Sequence, residues 1–421
     1  MPTLLAINNY HYRRGGADVV YLEQSRLLRE QGWHVADFAM QHPSNEASDY
    51  GDHFAEEIEF GHGYGALTKA RHAAKIIYSF ESAAKLRRLI EKVKPDVVHA
   101  HNVYHHLSPS VLKAAHDCGV PVVLTAHDLK LLCPAYSMLS HGQVCEDCNS
   151  RGRKALLEKR CMKGSLALSG LIYLESSLHD ALGLYRKHVD RVISPSRFLM
   201  NKFSEWQWDG APLAHVPNFA DVGALRPQYQ PGQHFVYFGR LSREKGLLTL
   251  VDAVAKAGVE LWMIGTGPLE AELQQRVAET GANVRFCGFQ KGEALWQLVR
   301  DSRAIVLASE CYENAPLTII EAYACGKPAI GAAIGGIPEL IRPGETGAVF
   351  ESGNSDDLAR VLREYARMDD ADVADQGRMA RAWAEQDFTV ERHVSRLLQV
   401  YRDIGVKLDS GEATREMEYA A

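Results

Sequence analysis

Apolar positions along the chain fall into short unbroken runs, separated by amphipathic stretches, and this alternation runs through the chain twice. In the first series LLAIN (4–8), HVADFAM (34–40), PDVVHAHN (95–102) and VPVVLTAHD (120–128) are buried-type strands that end in polar residues. Helical stretches lie between them, at about 17–31 and as one long element over 66–94. The second series is HFVYFGRL (234–241), VELWMIG (259–265), NVRFCGF (283–289), RAIVLAS (303–309) and KPAIGA (327–332), again with helices between. Near-continuous apolar strands alternating with helices predict parallel β-α-β units, hence an α/β chain of two doubly wound, Rossmann-like domains. A stretch rich in Pro, Gly and Gln at 216–233 reads as the linker. The expected boundaries are 1–215 for the first domain, with a polar loop at 129–165 that lacks a strand pattern, and 234–385 for the second. A helix within 386–408 is expected to return to the first domain, and 409–421 reads as a polar tail. Such domains face each other across a cleft at the C-terminal ends of their strands.

The 421 residues are enough for two or three domains, and 46% hydrophobic with 24% charged residues excludes a disordered or fibrous chain. A net charge of -6 disfavours nucleic-acid binding by bulk charge. No apolar run reaches the eighteen or so residues needed to span a bilayer. MPTLLAINNYHYRRGG lacks the features of a secretory signal, so a cytoplasmic location is expected. Sixteen of the 18 histidines lie before residue 218, whereas the second half carries the excess acid, so the halves handle different chemistry.

In the second half, CYENAPLTIIEAYACG (311–326) places Pro316 in the first turn of a helix and Gly326 at its C-terminal cap. Asn314 and Ala315 then stand where free backbone amides face an anion. Glu313 lies just before the helix and Glu321 inside it. Two carboxylates beside an anion site suit a ligand that also carries vicinal hydroxyls, such as a nucleotide-sugar. A dipole-complementing glutamate and a solvated one are the plainer alternative. FGRLSREKG (238–246) adds Arg240 and Lys245 at a strand end, a pair suited to a diphosphate. Gly265 lies in IGTGPLE (264–270), which fails as a dinucleotide fingerprint because Glu270 replaces its third glycine. Phe289 reads equally as a platform for a base or as core.

GRLSREKG, GTGPL, ENAPLTIIEA and GGIPELIRPGETG (335–347), in this order, resemble the C-terminal half of the retaining nucleotide-sugar glycosyltransferases of GT-B fold, glycosyltransferase family 4. The family's two glutamates, seven residues apart, fall on Glu313 and Glu321. The resemblance implies that Glu321 holds the ribose and Glu313 contacts the donor sugar. It also implies that Asn314, Ala315, Pro316 and Leu317 line sugar and phosphate, and that Arg240 and Lys245 grip the diphosphate. In the first half RRGGADVV (13–20), VVHAHN and TAHDLK resemble the same family more loosely. There Gly15 and Gly16 approach the donor phosphates, His127 lies near the donor sugar, and His101 and Asn102 face the acceptor side. For any one of these histidines a buried, hydrogen-bonded core role is the plainer alternative. The implied reaction moves a hexosyl unit from a nucleoside diphosphate sugar to a glycan or lipid-linked acceptor, with retention and without a protein nucleophile or catalytic metal. A 2-epimerase or phosphorylase of the same architecture, or a non-catalytic nucleotide-sugar binder, is the rival reading.

Cys133, Cys145, Cys148 and Cys161 have the spacing C-x11-C-x2-C-x12-C. A structural zinc is the favoured explanation; disulfides, an iron–sulfur cluster and free thiols stay open. Two basic segments, 66–94 with eight Lys+Arg against two Glu and 151–163 with six against one, suit either solvent or peripheral contact with an anionic membrane face.

Overall fold

The computed structural model describes residues 1–58 and 65–408; the segment 409–421 lies outside the described residues. The first sheet is parallel, in the order β2-β1-β3-β4-β7-β8. Its strands are β1 (Thr3–Ile7), β2 (His34–Phe38), β3 (Val97–Ala100), β4 (Val122–Thr125), β7 (Arg191–Ser194) and β8 (Leu213–His215). A small antiparallel hairpin, β5 (Leu139–Ser140) with β6 (Gln143–Val144), lies inside the cysteine loop. The second sheet is also parallel, in the order β11-β10-β9-β12-β13-β14. It comprises β9 (Phe235–Phe238), β10 (Glu260–Ile264), β11 (Asn283–Phe286), β12 (Ile305–Leu307), β13 (Ala329–Ala332) and β14 (Gly347–Phe350). Every residue of β3, β4, β9 and β13 is buried. Helices therefore cover both faces, which is why these strands read as unbroken apolar runs. The two domains are Rossmann-like. The strand order reverses between β1 and β3 in one sheet and between β9 and β12 in the other, and crevices open at the C-terminal ends there.

Three local expectations need correction. The helix expected over 66–94 is two, Ala66–Ile77 and Phe80–Val93. Ser79 breaks the run because its hydroxyl accepts from the Ser82 amide and caps the second helix. The 129–165 loop contains the β5–β6 hairpin and short helices at Asp147–Arg151 and Ala155–Glu158. Strand β14 follows KPAIGA.

The segment 216–233 divides its side chains between the domains. Val216 and Phe219 pack in the first core, Ala220 and Val222 in the second. The chain crosses back at the end. Helix Val390–Asp403 buries Val394, Leu397, Leu398 and Tyr401 against Tyr21, Leu28 and Trp33 of the first domain. Tyr401 hydroxyl lies 2.8 Å from His99 Nδ1.

Candidate active site

The loop after β9 begins with exposed Gly239 and Arg240 and continues through a short 3-10 turn, Arg243–Lys245. Gly246 ends that turn at φ 63°, and a Cβ there would stand 1.9 Å from the Ala308 carbonyl oxygen. Only glycine lets the loop lie against the end of β12, and this brings Lys245 to Glu313. Lys245 Nζ is 2.6 Å from Glu313 Oε1, and the Ser309 hydroxyl donates to the same oxygen at 2.7 Å. Burial opposes the lysine's charge, but the Glu313 carboxylate, by field and by hydrogen bond, outweighs it and holds the ammonium pKa above its usual value. From behind, the Gly336 amide donates to the Glu313 carbonyl at 2.7 Å. A side chain at Gly336 would collide with Asn314, its Cβ only 1.9 Å from the carbonyl oxygen.

Helix Leu317–Ala324 starts immediately after these residues. Pro316 is its N-cap rather than part of its first turn, and no side chain caps the end. Facing it is helix Gly16–Glu30, whose N-cap, Gly15, also offers no side chain. A Cβ on Gly16 would be 3.7 Å from Leu317 Cδ1. Two helix N-termini, one from each domain, thus meet across the cleft. The free amides of these two helix ends face the cleft, where Lys245 and Glu313 offset one another's charge, and Ala315 and Pro316 line it together with His127.

Glu321 lies one turn further in. Burial alone pushes its carboxyl up to about 7, and among the described residues no side chain or amide bonds to that carboxyl. It is an acceptor without a donor, as a diol-binding carboxylate would be. Gly265 lies under the β9 loop, where a Cβ would be 1.9 Å from the Gly239 carbonyl oxygen. Phe289 is 69% exposed, which removes its core reading.

On the opposite wall, His127 follows β4. His101 Nδ1 lies 2.8 Å from His127 Nε2, and the His101 ring stacks on His99 at 4.6 Å between centroids. Desolvation first, then neighbouring histidines, lowers His99 and His127 to about 3, so this row is neutral at physiological pH. His101 is buried and stands behind His127, bracing it, and with Asn102 and His127 it lines a cavity on this wall. Asn102 is anchored through its backbone, donating to Asn8 and accepting from Asn9. Beside His127, burial pushes Asp128 up to about 7, although Lys130 pulls it down; the Tyr104 hydroxyl donates to Asp128.

Residues 14–223 match the family described as Glycosyltransferase Family 4, and residues 227–383 match Glycosyl transferases group 1. The chain is a glycosyltransferase of GT-B type. It is 26% identical over 245 residues to the N-acetyl-alpha-D-glucosaminyl L-malate synthase of Bacillus anthracis, covering 55% of this chain and 64% of that protein. The fold is similar to a sucrose-phosphate synthase from Thermosynechococcus elongatus, at a TM-score of 0.70 and 19% identity, over 96% of this chain and 99% of the other. It is also similar to Anabaena HepE in complex with UDP, at a TM-score of 0.65 and 18% identity, over 96% and 99%.

In this glycosyltransferase the walls are joined by the Asn314 side chain, for which the sequence suggested only a backbone role, and by residues that the sequence did not single out. The Asn314 side chain donates to the Ala126 carbonyl at 2.9 Å and accepts from the Ser196 hydroxyl at 2.5 Å. It therefore serves as a clasp between domains, leaving its backbone for the cleft. Glu339, within GGIPEL, accepts from the Arg197 and Phe198 amides at 3.0 and 2.9 Å, capping helix Arg197–Glu205 of the first domain. Tyr312 hydroxyl donates to Glu146 of the cysteine loop at 2.6 Å, and Lys202 pairs with Glu146 at 2.9 Å. Tyr136 of the same loop is 40% exposed, within reach of the charges of Arg14 and Arg240. These pairs are separated by more than a hundred positions or belong to a loop without periodicity, so no local signal marks them.

The basic segments are largely matched by acids. Lys75 pairs with Glu56 and Glu81, Arg87 with Asp117, Arg151 with Asp147 and Glu158, and Arg153 with Asp180. Among the described residues no helix is long and apolar enough to cross a membrane.

Proposed function

We propose that the enzyme transfers a hexosyl unit from a nucleoside diphosphate sugar to a glycan or lipid-linked acceptor, with retention of anomeric configuration. The observation that carries this reading is the Lys245–Glu313 pair, set at the junction of two uncapped helix N-termini. Arg240, Lys245 and the backbone amides of Asn314, Ala315 and Leu317 stabilise the departing diphosphate as its charge develops. Glu313 accepts from a hydroxyl of the donor sugar, and Glu321, lacking any other donor, accepts from the ribose diol. Gly15 and Gly16 close on the phosphates from the first domain, and Phe289 lies against the base. In a front-face transfer the leaving phosphate oxygen takes the acceptor proton, so Glu313 acts as binder and not as nucleophile. Neutral His127, fixed by His101, offers the sugar one hydrogen bond without adding charge. The complex of HepE with UDP supports a nucleoside diphosphate in the corresponding fold.

A lipid-linked acceptor is supported by the exposed Leu166, Leu174 and Leu178 of helix Leu166–Ala181 and by Leu182 at its C-cap, next to the basic 151–163 segment. Salt-dependent co-sedimentation with anionic vesicles would support peripheral attachment, and no binding at low salt would remove it.

A thermal-shift panel of nucleotide sugars selects the donor, because a tight ligand stabilises the native state by mass action. With that donor, nucleoside diphosphate release should require an added acceptor. Conversion of the donor without acceptor would point to epimerase chemistry, phosphate-dependent turnover to a phosphorylase, and donor binding without any turnover to a non-catalytic protein.

A further inference from the structure

The cysteine loop stands apart from the donor site yet touches both of its walls. All eight cysteines are free, and four of them belong to this one loop. Contacts between the parts of the loop draw them toward one another: the Cys145 amide donates to the Met138 carbonyl across the hairpin base, the Tyr136 amide to the Cys133 carbonyl, and His141 Nε2 in the hairpin turn lies 3.0 Å from the Lys159 carbonyl oxygen, two residues before Cys161. Five non-glycine residues in this loop have left-handed backbones, Tyr136, Met138, His141, Arg160 and Lys163. Met138 and Leu156 anchor the loop in the first core, and backbones bent this often persist only where the surroundings over-determine them.

We propose that Cys133, Cys145, Cys148 and Cys161 bind one zinc ion as a tetrahedral four-thiolate site that fixes this loop against the cleft. Binding replaces four thiol protons with one Zn²⁺, releasing four H⁺ and leaving a net charge of −2 on the site. Lys159, which also pairs with Asp147 at 2.8 Å, already donates to Cys145 Sγ at 3.3 Å and would share that bond with a bound thiolate. As the side chains stand, among the described residues no three of these sulfurs lie within 4.8 Å of one another. Zn–S bonds of about 2.3 Å would draw them to a spacing of about 3.8 Å. The set His116, Asp117 and His188 is tighter, but its carboxylate already holds Lys113 and Arg87, which disfavours a cation. The consequence for the enzyme is positional. Glu146, next to Cys145, holds Tyr312 beside Glu313.

The test measures metal in the full-length protein, prepared with thiols reduced. One equivalent of zinc per folded chain is expected, with the four loop thiols slow to react with a disulfide reagent until a chelator is added; buried Cys325 stays slow throughout. Cys148→Ser should lose the zinc, and Cys118→Ser, outside the loop, should keep it. Should Cys148→Ser fail to fold, cobalt replacement in the unmodified chain gives the second reading, through thiolate-to-cobalt charge-transfer absorption. A folded protein that holds less than half an equivalent of zinc, shows thiol reactivity unchanged by the chelator, or carries iron and sulfide overturns the proposal. None of these readings depends on transferase turnover, so the metal site and the proposed reaction fail separately.

Discussion

Lys245 and Glu313 touch at 2.6 Å, although 68 residues separate them, and the Ser309 hydroxyl shares the same carboxylate oxygen. The contact keeps an ammonium charged in a partly desolvated cleft and holds the carboxylate in one orientation. Removing either partner therefore disturbs the other. Lys245→Met and Glu313→Gln should each lower kcat/KM by roughly 10²–10³-fold, and the double variant by far less than the product. Steady-state kinetics on all three variants, with circular dichroism to confirm folding, measures this. Multiplicative losses would mean that the pair does not act as a unit.

Glu321 holds its proton up to about pH 7 because burial disfavours the carboxylate. A diol is best bound by the ionised form, so donor affinity should rise with pH through 7 and level off above it. With half-ionisation at 7, affinity at pH 6 should be roughly tenfold below that at pH 8. Glu321→Gln should bind more weakly and lose this dependence, leaving only the ligand's own titration. Calorimetry of the selected nucleotide with both proteins across that range is the measurement. An identical slope in the variant would exclude Glu321 as its source.

Acid should destabilise the first domain early. His99 and His127 titrate near 3 when folded but near 6.5 when unfolded, so between those values the unfolded chain binds more protons. Stability is therefore full above about 6.5 and falls as pH drops, by roughly 1.4 kcal/mol per unit for each histidine. Buried Glu175, paired with Lys130 at 2.8 Å, works in the same direction but lower, from about 4.5 down to about 2. Urea midpoints at pH 7, 6 and 5 should decline steadily, and His99→Phe should flatten the upper part of the decline.

Glu339 caps a helix in the other domain, so its loss should affect both stability and closure. Glu339→Ala should cost about 1 kcal/mol, the usual value of a cap. Together with Ser196→Ala, which removes the hydroxyl bonded to Asn314, it should open the cleft and weaken donor binding. Small-angle scattering reads the opening as a larger radius of gyration. An unchanged radius would mean that other contacts hold the domains together.

The two sheets were legible because their strands are buried on both faces, which turns each into an unbroken apolar word such as FVYF or VVLT. Three strands escaped for the opposite reason: Arg191–Ser194, Leu213–His215 and Gly347–Phe350 are short and begin or end in polar or small residues. The helix at 66–94 looked continuous because apolar spacing persists through Ile76, Ile77 and Phe80; only a cap at Ser79 divides it. Glu313, Lys245 and Arg240 were readable as strand-end residues. Their contacts were not, since Gly246 and Gly336 act by what they leave out. The clasp residues Asn314, Ser196, Glu339 and Glu146 carry no periodic signal, as each is defined by a partner in the other domain.

Because Tyr401 and its neighbours complete the surface formed by Tyr21, Leu28 and Trp33, the ribosome must deliver nearly the whole polypeptide before the first domain is sealed. Until then a nascent chain carries an uncovered aromatic patch near its beginning, while the later domain can already assemble from local pairings. Maturation of this enzyme thus runs in reverse order of synthesis for its last step, and shortening the chain before residue 390 would leave the earliest-made domain as the one that aggregates.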